Sequence, residues 1–236
     1  ISPMFKKTMV LMFTAFIMIP LVGCGIQNVF FAKKVPPLGG YSKVLIVPFD
    51  IKKPTGKYED LPIIVSYGIG TKLSIYYKDK SWLYDQSRDV SPVSAKMKEL
   101  NISAKDAYLN PQAAVKLAQA VQADLVIVGQ MQEPAFTKEA SGKIEEDKTD
   151  VSSTGTARYY SIYQTAMLRT DLKVVETNSA KLLWEGRVLG YKKYKTSYRT
   201  GQSEKSQREE TMAADVRKDF IDNFVNKLFP VQAAEK

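Results

Sequence analysis

The side chains that perform most protein chemistry are scarce in this chain, which has no histidine and one cysteine among 236 residues. Without imidazole it lacks the usual general base near neutral pH and the commonest metal ligand, and a single thiol forms no intramolecular disulfide. Paired carboxylates can do acid–base work unaided. No spacing singles out such a pair, however, and Glu145-Glu146-Asp147 reads as part of a solvated loop. Gly68-Ile69-Gly70-Thr71-Lys72 lacks the four-residue spacer that lets backbone amides surround a phosphate. The expectation is therefore no catalytic residue, no cofactor and no metal. Two features remain. One is Cys24. The other is the run Tyr191, Lys192, Lys193, Tyr194, Lys195, Tyr198, Arg199, followed by Lys205 and Arg208, in which cations alternate with aromatic rings. Such interleaving suits anionic groups and stacking, with Lys192, Lys193, Lys195 and Arg199 as candidate contacts to an anionic partner. The same run also reads as a plain solvated strand end and loop.

Cys24 stands at the end of a distinctive segment. Between Thr8 and Ala32 there is no charged residue, and the apolar stretch Met9 to Val22 follows directly on Lys6-Lys7, the profile of a secretory signal. The stretch closes with Leu21-Val22-Gly23-Cys24, which resembles the bacterial lipobox. The resemblance implies that residues 1–23 leave as a signal peptide and that Cys24 becomes the mature N-terminus, acylated on its sulfur and its amine. Several acyl chains anchor firmly where one does not. A membrane-spanning helix is the other reading, since about 20 apolar residues suffice, though Pro20, Gly23 and Gly25 weaken it. With Gly25 where an aspartate would signal inner-membrane retention, the resemblance implies a lipid-anchored address at the outer membrane, facing the periplasm. Loss of Lys6 and Lys7 lowers the net charge from +9 to +7, still basic.

The rest of the chain, 44% hydrophobic and 25% charged, is rich enough in apolar residues to bury a core. Residues 24–42 contain Pro36-Pro37 and Gly39-Gly40 without a sustained period and read as a tether. A single α/β domain is expected over 43–230, with 231–236 as a tail. Lys43 to Asp50 and Ala123 to Gln130 are aliphatic runs of the kind buried on both faces of a sheet. A helix broken by Gly68 and Gly70 is expected over 61–78, a short strand over Trp82-Leu83-Tyr84-Asp85, and a helix over Ser91 to Leu100. Asn110 followed by Pro111 opens a helix over 111–122. Phe136 to Ala157 reads as a polar excursion. Leu168, Thr170, Leu172 and Val174 alternate with polar residues and face Leu182, Trp184, Gly186 and Val188 across a hairpin, with Trp184 as a core anchor. Val216, Phe220, Ile221, Phe224, Val225 and Leu228 mark one face of a last helix over about 208–229, stopped by Pro230.

A first core strand ending in Val47-Pro48-Phe49, a helix leading into Ala123-Asp124-Leu125-Val126-Ile127-Val128-Gly129, and Leu172 to Glu176 turning into Lys181 to Gly186 form a recognisable order. Behind a lipobox, it is similar to the curli-secretion lipoprotein family and its relatives with the TolB N-terminal-like fold. The resemblance implies an α/β sandwich, with a mixed sheet, a C-terminal β-hairpin and helices packed on it. It also implies a choice of roles. In the secretion-pore members the excursions near 136–165 and 190–210 are implied to form barrel hairpins. Here, Tyr159 to Ala166 in part excepted, they are too charged for lipid, which favours a non-enzymatic scaffold or accessory protein of envelope assembly or secretion, with an oligomeric secretion channel as the alternative. The expected partners are the membrane through the lipid, envelope proteins or peptidoglycan, and further copies of the chain; nucleic acid is not expected. Metabolic labelling with a palmitate analogue is expected to tag the wild-type protein and to fail on Cys24→Ala, and a tagged Cys24→Ala protein would refute acylation at that sulfur.

Overall fold

Two apolar strands set the centre of the molecule. In the computed structural model, which describes residues 34–87, 89–147, 157–199 and 206–230, β1 (Lys43–Ile46) and β4 (Leu125–Met131) run parallel, with Val44 beside Leu125 and Ile46 beside Ile127. The chain divides between Lys34 and Val35, and the unit described begins at Val35. Val44, Ile46, Leu125, Ile127 and Met131 enter one hydrophobic layer, while Leu45, Val47, Val126 and Val128 enter the other. Burial on both faces is why these segments read as continuous apolar runs.

The sheet has seven strands. Inward from one edge come β3 (Ser81–Leu83), β1, β4 and β6 (Ala157–Glu176). The short β2 (Asp50–Ile51) also flanks β4, β5 (Ala135–Asp147) lies along β6 beyond the end of β4, and β7 (Leu182–Arg199) runs along the opposite side of β6. The pairs of β1 with β3 and of β1 and β2 with β4 are parallel; those of β6 with β4, β5 and β7 are antiparallel.

Helices α1 (Leu61–Tyr76) and α5 (Glu209–Leu228) cover one face through Val65, Ile69 and Leu73 and through Val216, Phe220 and Phe224. On the other face α2 (Pro92–Glu99), α3 (Ala104–Leu109) and α4 (Pro111–Ala120) supply Val93, Met97, Ala107, Ala114 and Leu117. This second cluster meets β6 only at Val175. The mixed α/β sandwich is thus three layers deep over β1 and β4, with only the α5 side of β6 and β7 supplying the larger core.

Several expectations need correction. The polar excursion from Phe136 is strand β5 as far as Asp147, held by a ladder to β6. Gly68 and Gly70 do not interrupt α1. A Cβ at Gly68 would lie 2.5 Å from Ile221 Cδ1, and one at Gly70 2.3 Å from the Tyr84 ring, so both admit neighbours closely. The tether does not extend to residue 42: Leu38 is buried, Lys80 Nζ donates to the carbonyls of Gly39 and Tyr41, and Asp124 accepts from the amides of Ser42 and Lys43. Leu182 turns outward because a bulge between Val174 and Val175 pairs Val175 with Leu182, moving that residue to the other face. α3 was not foreseen, although its Ser103–Asp106 capping box was legible.

The start of α2 also differs in mechanism. Ser91 occupies the cap position without a side-chain capping bond, and the fully buried Asp85 carboxylate accepts instead from the amides of Val93 (2.9 Å) and Ser94 (3.1 Å). Asp85→Ala is expected to lower stability by about 1–3 kcal/mol through loss of this cap and exposure of two orphan amides. Urea denaturation checks it, and an unchanged midpoint would contradict the assignment.

Candidate interaction surface

The hairpin β6–β7 carries the basic run, and its register sorts those residues. Tyr163 pairs with Lys195, Thr165 with Lys193, Met167 with Tyr191, Arg169 with Leu189 and Asp171 with Arg187; the intervening pairs, from Gln164 with Tyr194 to Leu172 with Gly186, lie on the opposite face. A stretch that looks uniformly basic in sequence is therefore divided in two.

One half is committed to α5. Lys192 Nζ lies 3.2 Å from the Asp219 carboxylate, and Tyr194 donates its phenol proton to Asp215 at 2.7 Å. The helix approaches so closely that a Cβ at Gly190 would sit 2.3 Å from the Val216 carbonyl oxygen. It also closes part of the outer edge of β7. Asp219 accepts from the Tyr191 amide at 2.9 Å, Asn223 Nδ2 donates to the Leu189 carbonyl at 2.8 Å, and Lys227 Nζ donates to the Arg187 carbonyl at 2.7 Å. Three side chains spaced four residues apart on one helix face thus take the place of a neighbouring strand along Arg187 to Tyr191. Burial pushes the Lys227 ammonium below its ordinary pKa.

The other half faces away from α5. Met167, Leu189 and Tyr191 are exposed there, Lys193 Nζ lies 4.5 Å from the centre of the Tyr163 ring, and Arg187 Nε donates to Asp171 at 2.6 Å. Where this face meets the helices, Lys173 Nζ donates to the Tyr108 carbonyl at 3.0 Å and lies 4.5 Å from its ring. The surface has an apolar and aromatic middle with cations around it. Lys193 and Lys195 share it, Lys192 does not, and Arg199 closes β7 in register with Tyr159. Sequence reading grouped the four cations and missed Met167 and Leu189, which strand alternation alone placed outward. Trp184 is buried as expected, with Lys227 Nζ 5.5 Å from its ring. Cys24 and Lys205 lie outside the described residues.

Among the described residues, no three His, Cys, Asp or Glu side chains are grouped so as to hold a metal ion, and no helix is long and apolar enough to cross a membrane. The surface presents ring faces, exposed apolar atoms and cationic donors.

The class defined by this fold is a mixed α/β sandwich with an extended antiparallel hairpin. No protein-family model matches the chain, and no curated protein matches it. Among solved structures, it is similar to the LpoB C-terminal domain from Salmonella enterica, at 12% identity over 63% of this chain and 82% of that one, with a TM-score of 0.32. It is also similar to lipoprotein GNA1162 from Neisseria meningitidis, at 12% identity over 78% and 99%, with a TM-score of 0.35. The PelC dodecamer from Paraburkholderia phytofirmans matches at 10% identity over 85% and 96%, with a TM-score of 0.39.

Burial and the bond to Asp215 raise the Tyr194 phenol from 10.0 to about 12. Because the fold holds this group protonated, its contribution is complete below pH 10 and is lost as pH rises towards 12. Phenolate absorbance titration is expected to show a late step that Tyr194→Phe removes, and an unchanged late step in that variant would assign it elsewhere.

Proposed function

We propose that the chain is a lipid-anchored protein of the outer membrane, of the curli-secretion and TolB N-terminal-like group, that holds an anionic envelope component rather than transforming one. The observation that carries this reading is the uncovered face of β6 and β7, where Lys193 and Lys195 stand beside Tyr163, Tyr191, Met167 and Leu189. Cations next to exposed rings and apolar atoms retain a polymer or protein partner through several weak contacts, and the lipobox at Leu21 to Cys24 supports a site of action at the membrane. The peptidoglycan layer is the partner tested first.

The secretion-channel reading draws on the same strands, since β5, β6 and β7 form an antiparallel ladder where barrel hairpins are implied. Lys138 with Glu139, and Lys192 with Lys193, place charges at consecutive positions and hence on both faces. A lipid-facing strand needs an apolar residue at every second position, and β5 and β7 break that pattern at these positions.

Purified protein is expected to co-sediment with peptidoglycan sacculi at low salt and to be released at high salt. Lys193→Glu combined with Lys195→Glu should abolish retention, whereas Lys78→Glu with Lys218→Glu, the same charge change elsewhere, should preserve it. Retention that ignores salt, or that both double variants lose equally, would overturn the assignment of this face.

A further inference from the structure

Helix α1 has a composition that its packing does not explain. Its sixteen residues include a single charged side chain, Lys72, and that one is paired with Asp222 of α5. A helix that is apolar all round is normally covered all round. Here Val65, Ile69 and Leu73 point into the core, Gly68 meets Ile221 and Gly70 meets Tyr84, while the remaining face is left open. Along it Ile64 is 39% exposed, Tyr67 44% and Ile75 62%, with Tyr76 53% exposed at the helix end. Ile64, Tyr67, Thr71 and Ile75 follow one another at spacings of three and four and so form one stripe. It contains isoleucine, tyrosine and threonine and no charge. Uncovered apolar stripes of this length on a stable domain mark a contact surface.

We infer that this outer face of α1 rests on the surface of the lipid bilayer. The inference builds on the proposed acylation of Cys24 and adds an orientation to it. Val35 lies eleven positions after Cys24, a span of at most about 40 Å even when fully extended. The body is therefore kept close to the leaflet that holds the acyl chains. The chain joins the body in the same layer as α1, because Leu38 is buried in the cluster that contains Val65, Ile69 and Leu73, and Val35 packs against it. The stripe then meets the interface with Tyr67, and beside it at the helix end stands Tyr76, with the Lys72 ammonium 5.8 Å from its ring centre; such rings suit the boundary between headgroups and acyl chains. Among the described residues no helix can cross the membrane, so α1 lies on the surface with its inner face still in the core. The open face of β6 and β7 is on the other side of the sheet and points away from the membrane, where a partner can reach it.

The test uses full-length protein reconstituted in phosphatidylcholine–phosphatidylglycerol vesicles. Tyr67→Cys, Ile75→Cys and, on the exposed side of α4, Gln119→Cys are each labelled with an environment-sensitive thiol dye. Brominated acyl chains are expected to quench the dye at positions 67 and 75 several-fold more than at 119, and aqueous iodide should show the reverse order. Equal quenching at the three positions by both reagents would overturn the inference. So would protection at 67 and 75 that persists in detergent without vesicles and accompanies a dimeric mass, since a second copy would then cover the stripe. The wild-type protein reports separately on the anchor, because an acylated Cys24 takes up no dye. If wild type is labelled, the anchor reading fails, and the same three variants in a Cys24→Ser background decide whether α1 meets lipid without it.

Discussion

The fold depends on a mismatch between a long sheet and two helical layers of unequal extent. Over β1 and β4 both faces are buried, so apolar side chains fill both strands except at Lys43 and Gln130, which are half-buried near the strand ends. Over β6 and β7 the α5 side supplies the larger core, and the other side joins the second cluster at Val175. Between the Tyr163–Lys195 and Asp171–Arg187 pairs, side chains are accordingly sorted by parity, towards α5 or away from it. The same alternation that buries Leu172, Val174, Trp184 and Val188 exposes Met167, Leu189 and Tyr191.

Helix α5 carries much of the consequence. Its apolar face supplies Val216, Phe220 and Phe224 to the core, and its polar residues Asp219, Asn223 and Lys227 satisfy backbone groups along the outer edge of β7. An edge left bare would invite pairing with another chain, and here the helix that seals the core also blocks part of it. Asp215 and Asp219 tie Tyr194 and Lys192 to the α5 side of the hairpin. The character of the exposed surface is thus decided from beneath it.

Two outer surfaces result, on opposite sides of the sheet. The layer of α1 receives the N-terminal segment, with Leu38 in its core and the Tyr41 hydroxyl donating to Glu176 at 2.9 Å. Bonds from Ser179 and Tyr41 hold the Glu176 carboxyl below its ordinary range. The far side presents cations beside rings. The two proposed contacts, with a leaflet on one side and a partner on the other, would thus fall on separate layers of the fold.

Much of the architecture was legible in the amino-acid sequence. Apolar runs at Lys43 and Leu125, helical spacing before Val121 and after Arg208, and period-two alternation from Leu168 to Val174 each state their own burial, because burial is what writes such patterns. Strand β5 was hidden: its ladder with β6 is made by backbone groups, which leave no trace in side-chain polarity. The Asp85 cap was hidden too, since the carboxylate and the amides it serves are brought together by a loop. A run of four basic residues could be read from the sequence, but which faces Lys192, Lys193 and Lys195 take was decided only by register and by the helix that begins at Glu209. Local periodicity records which side chains avoid water; only the assembled tertiary structure determines which remaining surfaces are left without a cover.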